Sequence, residues 1–248
     1  MPAEITQGYV IKTQDYRDTS LLITVFTRDY GKLRAIVKGG RDGRNKLGSS
    51  LEPFSLNEMT IYRRKRSDLH LITKADLIEN YNAIRKDLEV LATATYFMEL
   101  IDQMIDAHPH PEIFNMLPQV FDFMKEGNSP KRAARIFEIK LLAHLGFMPE
   151  LTHCIRCQKA NFDPIYFSIS SGGIVCSNCR HEEAPLLLIS QGAILFLKAA
   201  ATKSFQELQM VKVSQEVGEK VERMMRQFLD FHLSYKPKSL TFLEKIGA

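Results

Sequence analysis

All four cysteines of the chain lie in one stretch of 26 residues, as two Cys-x-x-Cys pairs, Cys154/Cys157 and Cys176/Cys179, with eighteen residues between them. Each pair can turn two thiolates toward one point. Two such knuckles supply four soft ligands in a tetrahedron, the coordination that suits one structural Zn²⁺. The insert predicts how the pairs meet: Ile165 to Ile169 is strand-like, Ser170-Ser171-Gly172-Gly173 is a turn, and Ile174-Val175 leads back to the second knuckle. A redox-active pair of the thioredoxin kind needs a βαβ pattern beside it, and none is visible. A nucleobase deaminase needs His-x-Glu followed by Pro-Cys-x-x-Cys. His110-Pro111-Glu112 matches by letter, but His153 and Val175 precede the knuckles where proline is required. With four thiolates the site has no open position, so the expected metal braces the fold and does no chemistry. His153 and His181 flank the cysteines as substitute ligands.

The second group that can act on a partner is cationic. Residues 28–46 hold seven Lys or Arg against two Asp, and Arg63-Arg64-Lys65-Arg66 forms a second run. Over 32–38 the alternation of a strand puts Lys32, Arg34 and Lys38 on one, solvent-facing side and Leu33, Ala35 and Val37 on the other. Arg41, Arg44 and Lys46 carry the charge into a Gly-rich loop. The chemistry this predicts is phosphate neutralisation with counterion release, which is salt-dependent and indifferent to base sequence. Tyr30 and Tyr62, beside the runs, are candidates for stacking on bases, whereas Phe26 and Phe54 read as core.

The elements that must hold these groups follow from periodicity. Residues 5–13, 20–27, 32–38, 54–64 and 69–79 read as five short strands, enough for a small closed or partly closed barrel. From Asn82 to Ile105 the rhythm is helical. Pro111 opens a second helix. A third is capped by Ser129, starts on Pro130 and ends at Gly146, with a broad apolar face from Ile136 to Leu145 that predicts burial. Ser190 and Ser214 are caps for two more, the last carrying Val217, Val221, Met224, Met225, Phe228 and His232. The 248 residues, 45% hydrophobic and of net charge +4, allow a sizeable core. No apolar run approaches a membrane span, the start Met1-Pro2-Ala3-Glu4 does not read as a signal peptide, and a cytoplasmic protein is expected. No Walker loop, paired-carboxylate motif or nucleophile elbow argues for an enzyme.

The order of these parts, together with "RIFEIKLLAHLGFMPELTHCIRC", "VKGGRDGRN" with "LEPFSL", and "SYKPKSLTFL", resembles the RecO family of bacterial recombination mediators over almost the whole chain. The resemblance implies an α+β protein. A five-stranded OB-fold barrel that binds DNA spans 1–80, an all-α domain spans 81–151 and 183–248, and a zinc-ribbon-like insertion spans 152–182. It also implies a non-enzymatic, nucleoid-associated activity. The family binds single- and double-stranded DNA, anneals complementary strands, and works with RecR and the single-stranded-DNA-binding protein to load RecA. Asp42, within Gly39-Gly40-Arg41-Asp42, departs from the more purely basic run expected there. The acidic, apolar-ended tail of the single-stranded-DNA-binding protein calls for a groove with a basic rim. Arg132 and Arg135, with Leu142 on the same helix, are the residues expected to form it, the alternative being that both arginines are ordinary solvated groups. A zinc-ribbon adaptor that binds only proteins is the competing function.

Overall fold

The protein is described here by a computed structural model that covers residues 2–42, 50–64, 66–183 and 185–246. Arg44, Lys46 and Lys65 lie outside the described residues. The chain divides into two compact units, Met1–Phe121 with Pro237–Ala248, and Asp122–Lys236.

In the first unit β1 (Glu4–Tyr16), β2 (Ser20–Thr27), β3 (Gly31–Val37), β4 (Leu56–Tyr62) and β5 (Leu69–Glu79) close into a barrel in the order β1-β2-β3-β5-β4. Every pairing is antiparallel except β3 with β5. This is the OB-like barrel expected. Closure removes all sheet edges over the paired residues. Alternation fills the interior with Val10, Ile23, Val25, Ala35, Val37, Met59 and Ile61, all fully buried. The β2–β3 turn depends on Gly31. Its φ is +64°, and a Cβ there would collide with the carbonyl of His108.

The helical rhythm from Asn82 breaks in two. A 3-10 segment, Asn82–Lys86, precedes α1 (Leu88–Met104), because Asp87 is extended and its carboxylate accepts the N–H of Val90 at 3.0 Å as an N-cap. Then comes α2 (Pro111–Lys125). The C-terminal helix α7 (Lys238–Ile246) packs on α1, where Glu99 accepts hydrogen bonds from the N–H and Oγ of Ser239 at 3.0 and 2.7 Å.

The second unit holds α3 (Pro130–His144), whose residues 133–142 are all buried. Ser129 precedes it without a side-chain cap bond, so Pro130 at the first turn marks its start. A three-stranded sheet follows in the order β7-β6-β8, formed by β6 (Ile165–Ser168), β7 (Gly173–Cys176) and β8 (Leu186–Ile189). The hairpin was expected and β8 was not. Its run Leu186–Ile189 is short and uniformly apolar, a pattern without period. Three helices complete the unit: α4 (Gln191–Thr202), α5 (Phe205–Gln209) and α6 (Gln215–His232). Ser190 and Ser214 cap α4 and α6 as expected, and Ser204 forms an additional capping box with Glu207 on α5. No helix among the described residues is long and apolar enough to cross a membrane.

Candidate metal centre and nucleic-acid interface

The β6–β7 hairpin brings the knuckles together. Its register pairs Ile165 with Cys176 and Ser168 with Gly173, and the chain entering the first knuckle is tied alongside by hydrogen bonds between Glu150 and Ile174 and between Ile155 and Ile174. The four Sγ atoms all lie within 4.8 Å of one another, with Cys157 and Cys176 at 3.8 Å. Sulfurs bound to one Zn²⁺ at about 2.3 Å in a tetrahedron stand about 3.8 Å apart, so the donor set fits. Among the described residues the group is these cysteines alone, and neither His153 nor His181 joins it. Cys154 and Cys176 are buried, and Cys157 is exposed. Burial works to raise the Cys154 thiol, but the N–H groups of Cys157, Cys176 and Arg156 point at its sulfur and bring it down to about 6. Cys179 is pushed up to about 12, by burial first and then by hydrogen bonding to the other three sulfurs. The Cys154 thiolate forms readily while Cys179 holds its proton. A divalent cation reverses that balance by neutralising the set.

A carboxylate missed by sequence reasoning locks this module. Glu183 is nearly buried and accepts from Ser168 Oγ and Ser171 Oγ, each at 2.8 Å, and from Arg156 Nε at 2.7 Å. These hydrogen bonds, that of Ser168 foremost, hold its pKa below the ordinary value. Glu183 has no motif of its own, and only the return of the chain beside the hairpin turn reveals its partners.

The expected cations are not equally free. Arg34 is exposed on the outer side of β3, Lys38 is exposed in the turn just after it, and Arg64 and Arg66 are exposed in the β4–β5 loop. Lys32 corrects the expectation of a solvated side chain. It is only one quarter exposed, its Nζ is 3.5 Å from Asp102 Oδ1 on α1, and it donates to the Asp102 carbonyl; Lys12 shares the same carboxylate. The outer side of the strand at that level meets a helix, which no periodicity within the strand can announce. Arg63 is likewise engaged, forked onto Glu4 and stacked 4.0 Å above the ring of Tyr30. Tyr30 is therefore occupied, while Tyr62 is half-buried at the end of β4. Arg41 lies 3.4 Å from Asp15 and donates to the carbonyl of Arg17. Phe26 and Phe54 are core, as read. His110 and Glu112 flank the proline that opens α2, and His110 lies 3.7 Å from Asp106.

A cavity of about 350 Å³ in the second unit is lined by Lys131, Arg132, Arg135, Phe196, Val221 and Glu222. Neither arginine is an ordinary solvated group. Arg132 donates to the carbonyls of Leu208 and Val211 at 2.6 and 2.5 Å, and burial lowers its pKa. Arg135 is 8% exposed and pairs with Glu138 at 2.8 Å, yet its buried Nε and Nη1 have no hydrogen-bond partner among the described residues. Leu142 is fully buried and does not line the cavity, so the apolar wall is Phe196 and Val221 instead. Two turns of α3 further on, Leu142 faces the core. Phe196 belongs to α4, distant in sequence, and gave no signal.

The family profile described as "Recombination protein O N terminal" matches residues 1–81, and that described as "Recombination protein O C terminal" matches 85–241. The DNA repair protein RecO of Syntrophus aciditrophicus is 31% identical over 247 residues, covering 97% of this chain and 95% of the relative. That of Caldicellulosiruptor saccharolyticus is 28% identical over 241 residues, covering 97% of each. That of Desulforamulus reducens is 29% identical over 239 residues, covering 96% and 92%. With both profiles matched in sequence order over nearly its full length, the chain belongs to the RecO family of DNA repair proteins.

Proposed function

We propose that the chain is a non-enzymatic, DNA-binding recombination mediator that anneals complementary strands and helps load a recombinase onto single-stranded DNA. The observation that carries this reading is the set Arg34, Lys38, Arg64 and Arg66, all exposed on the barrel of a RecO-family chain. In OB-folds the β2–β3 face and the β1–β2 and β4–β5 loops are the nucleic-acid surface, and these residues lie on that strand, just after it, and in the second of those loops. Arg34 is fixed on the closed sheet and the other three flank it, so they neutralise phosphates along one side of the barrel. Two strands held at once repel less, and base pairing then drives annealing with no covalent step. Arg41 is a weaker contact, being shared with Asp15, and Lys32 and Arg63 act by shaping the surface.

The four cysteines hold one structural Zn²⁺, which braces the β6–β7 hairpin and leaves no ligand position for a substrate. The cavity with Arg132 and Arg135 receives the C-terminal tail of the single-stranded-DNA-binding protein: the cationic lining of Lys131, Arg132 and Arg135 suits a carboxylate, and Phe196 with Val221 suits an apolar last residue. RecR and, indirectly, RecA are the further partners.

The test is annealing of complementary oligonucleotides coated with the single-stranded-DNA-binding protein. Arg34→Glu with Lys38→Glu should abolish annealing while the circular dichroism spectrum stays unchanged. A folded double variant that anneals at the normal rate overturns the reading, and a chain with no salt-sensitive DNA affinity would instead be the protein-only adaptor.

A further inference from the structure

The four thiols of the metal module are not equally placed. The first knuckle turns tightly. The N–H of Cys154 donates to the carbonyl of Lys159 and the N–H of Gln158 to the carbonyl of Cys154, both at 2.9 Å, and Gln158 has a φ of +59°. This turn holds Arg156 to Ala160, Cys157 among them, in solvent. Cys176 is the opposite case. It ends β7, whose residues Gly173–Cys176 are all buried, and its N–H points at the buried sulfur of Cys154 at 3.5 Å. Cys179 is half-buried. A small oxidant arriving through water therefore meets Cys157 first, and Cys176, whose sulfur is 3.8 Å away, belongs to the other knuckle. Sulfurs that share a metal ion are thiolates, the nucleophilic form of cysteine. An accessible thiolate with a second one in reach is the arrangement of an attacking and a resolving cysteine.

We propose that Cys157 and Cys176 form a reversible oxidation site for peroxides, in which a disulfide between the knuckles takes the place of the metal as the staple of the β6–β7 hairpin. The proposal rests on the reading of the four thiols as a metal site and gives that site a second state. In the first step the Cys157 thiolate attacks one oxygen of hydrogen peroxide, the O–O bond breaks, and the sulfur becomes a sulfenic acid while hydroxide departs. In the second, the Cys176 thiolate attacks the Cys157 sulfur, the S–O bond breaks, and a further hydroxide departs as the disulfide forms. The sulfurs give up the electron pair that the peroxide takes. Of the four ligands two thiolates remain, too few to hold the ion, so the metal leaves. The choice of pair decides what becomes of the fold. A disulfide inside one knuckle, Cys154 with Cys157 or Cys176 with Cys179, would leave the ends of the module unjoined. One between Cys157 and Cys176 closes the same loop that the metal closes, so the short hairpin stays shut. A dithiol reverses the bond by exchange and restores the four ligands. The module thus yields its metal to an oxidant without losing its hairpin.

The full chain, loaded with Zn²⁺, is treated with hydrogen peroxide and followed in three ways: metal released to a chromophoric chelator, disulfides located by non-reducing peptide mapping, and hydrogen exchange over 150–183. Metal release should rise together with a Cys157–Cys176 disulfide, about one ion for each bond formed. The oxidised chain should keep the protection of β6 and β7 that a chelator alone removes, and dithiothreitol with added Zn²⁺ should return the starting state. Metal retained in peroxide, a disulfide confined to one knuckle, or Cys157 carried on to sulfinic acid with no bond to Cys176 overturns the proposal. Loss of hairpin protection in the oxidised chain overturns the staple. Cys157→Ser should form no disulfide under the same treatment, and a bond between the knuckles in that variant would show that Cys157 is not the entry point. Should the variant lose its metal or not fold, the mapping on the unaltered chain remains decisive. Metal content separates the two levels. A folded chain that takes up no ion removes the metal reading of the four thiols and this proposal with it, whereas a chain that binds one and fails the mapping loses only the disulfide.

Discussion

At the scale of single residues, availability matters more than type. Lys32 and Arg34 alternate on β3 and Lys38 follows in the turn, yet Asp102 neutralises the first while the other two are exposed. Arg34→Ala should therefore weaken DNA binding several-fold, whereas Lys32→Ala should change it by less than about twofold, because Asp102 already holds the Lys32 ammonium and leaves it no phosphate to neutralise. Anisotropy titrations of the two variants at one salt concentration check the order, and equal losses would contradict it. Glu183 offers a second test. Its lowered pKa means that the stabilisation it supplies is fully present above its ordinary value of 4.5 and disappears as pH falls through the lower, folded value. Glu183→Gln should cost about 2 kcal/mol at pH 7, since one oxygen can no longer serve as a charged acceptor. The gap between variant and parent should close in acid, and a gap that is constant from pH 7 to pH 3 in denaturant titrations would remove the carboxylate from the account. The cysteines were legible in the sequence because a metal site demands a spacing. Glu183 and Asp102 were not, because a carboxylate that meets its partner across the fold has no local signature.

Elements were legible where their period was strong. All five barrel strands stand within a few residues of their expected limits, and α2, α3, α4 and α6 begin where Pro or Ser announced them. The failures share a cause. The segment from Asn82 divides at Asp87, where a side-chain cap outcompetes the helix, and β8 forms because β6 offers an open edge to a short apolar run. The hairpin β6–β7 has only four residue pairs, too few to hold without help. Removing the proposed metal with a chelator should raise hydrogen exchange across 150–183 toward the unfolded rate, while the amides of β1–β5 keep their protection, because those strands have a closed core of their own. Mass-spectrometric exchange with and without chelator reads this directly. Loss of protection in the barrel would show that the metal supports more than its own module.

For the molecule as a whole, the net charge of +4 says little, since the paired and the exposed cations count alike in the sum. With one phosphate at each of Arg34, Lys38, Arg64 and Arg66, the expected slope of log affinity against log salt is about −3 for a single strand, roughly −0.7 for each phosphate neutralised. A slope near zero would mean that DNA is held elsewhere or not at all. Chain order alone determined the succession of barrel, helices and four-thiol module, because strand alternation, helix caps and Cys-x-x-Cys spacing are all set within a few neighbouring residues. Which arginines stay exposed, that Phe196 and not Leu142 walls the cavity beside Arg135, and which of the four thiols stands in solvent emerged only when distant segments were folded against one another. Those relations depend on pairing register and on helix docking, which are settled by contacts between residues tens of positions apart and leave no periodicity in the chain.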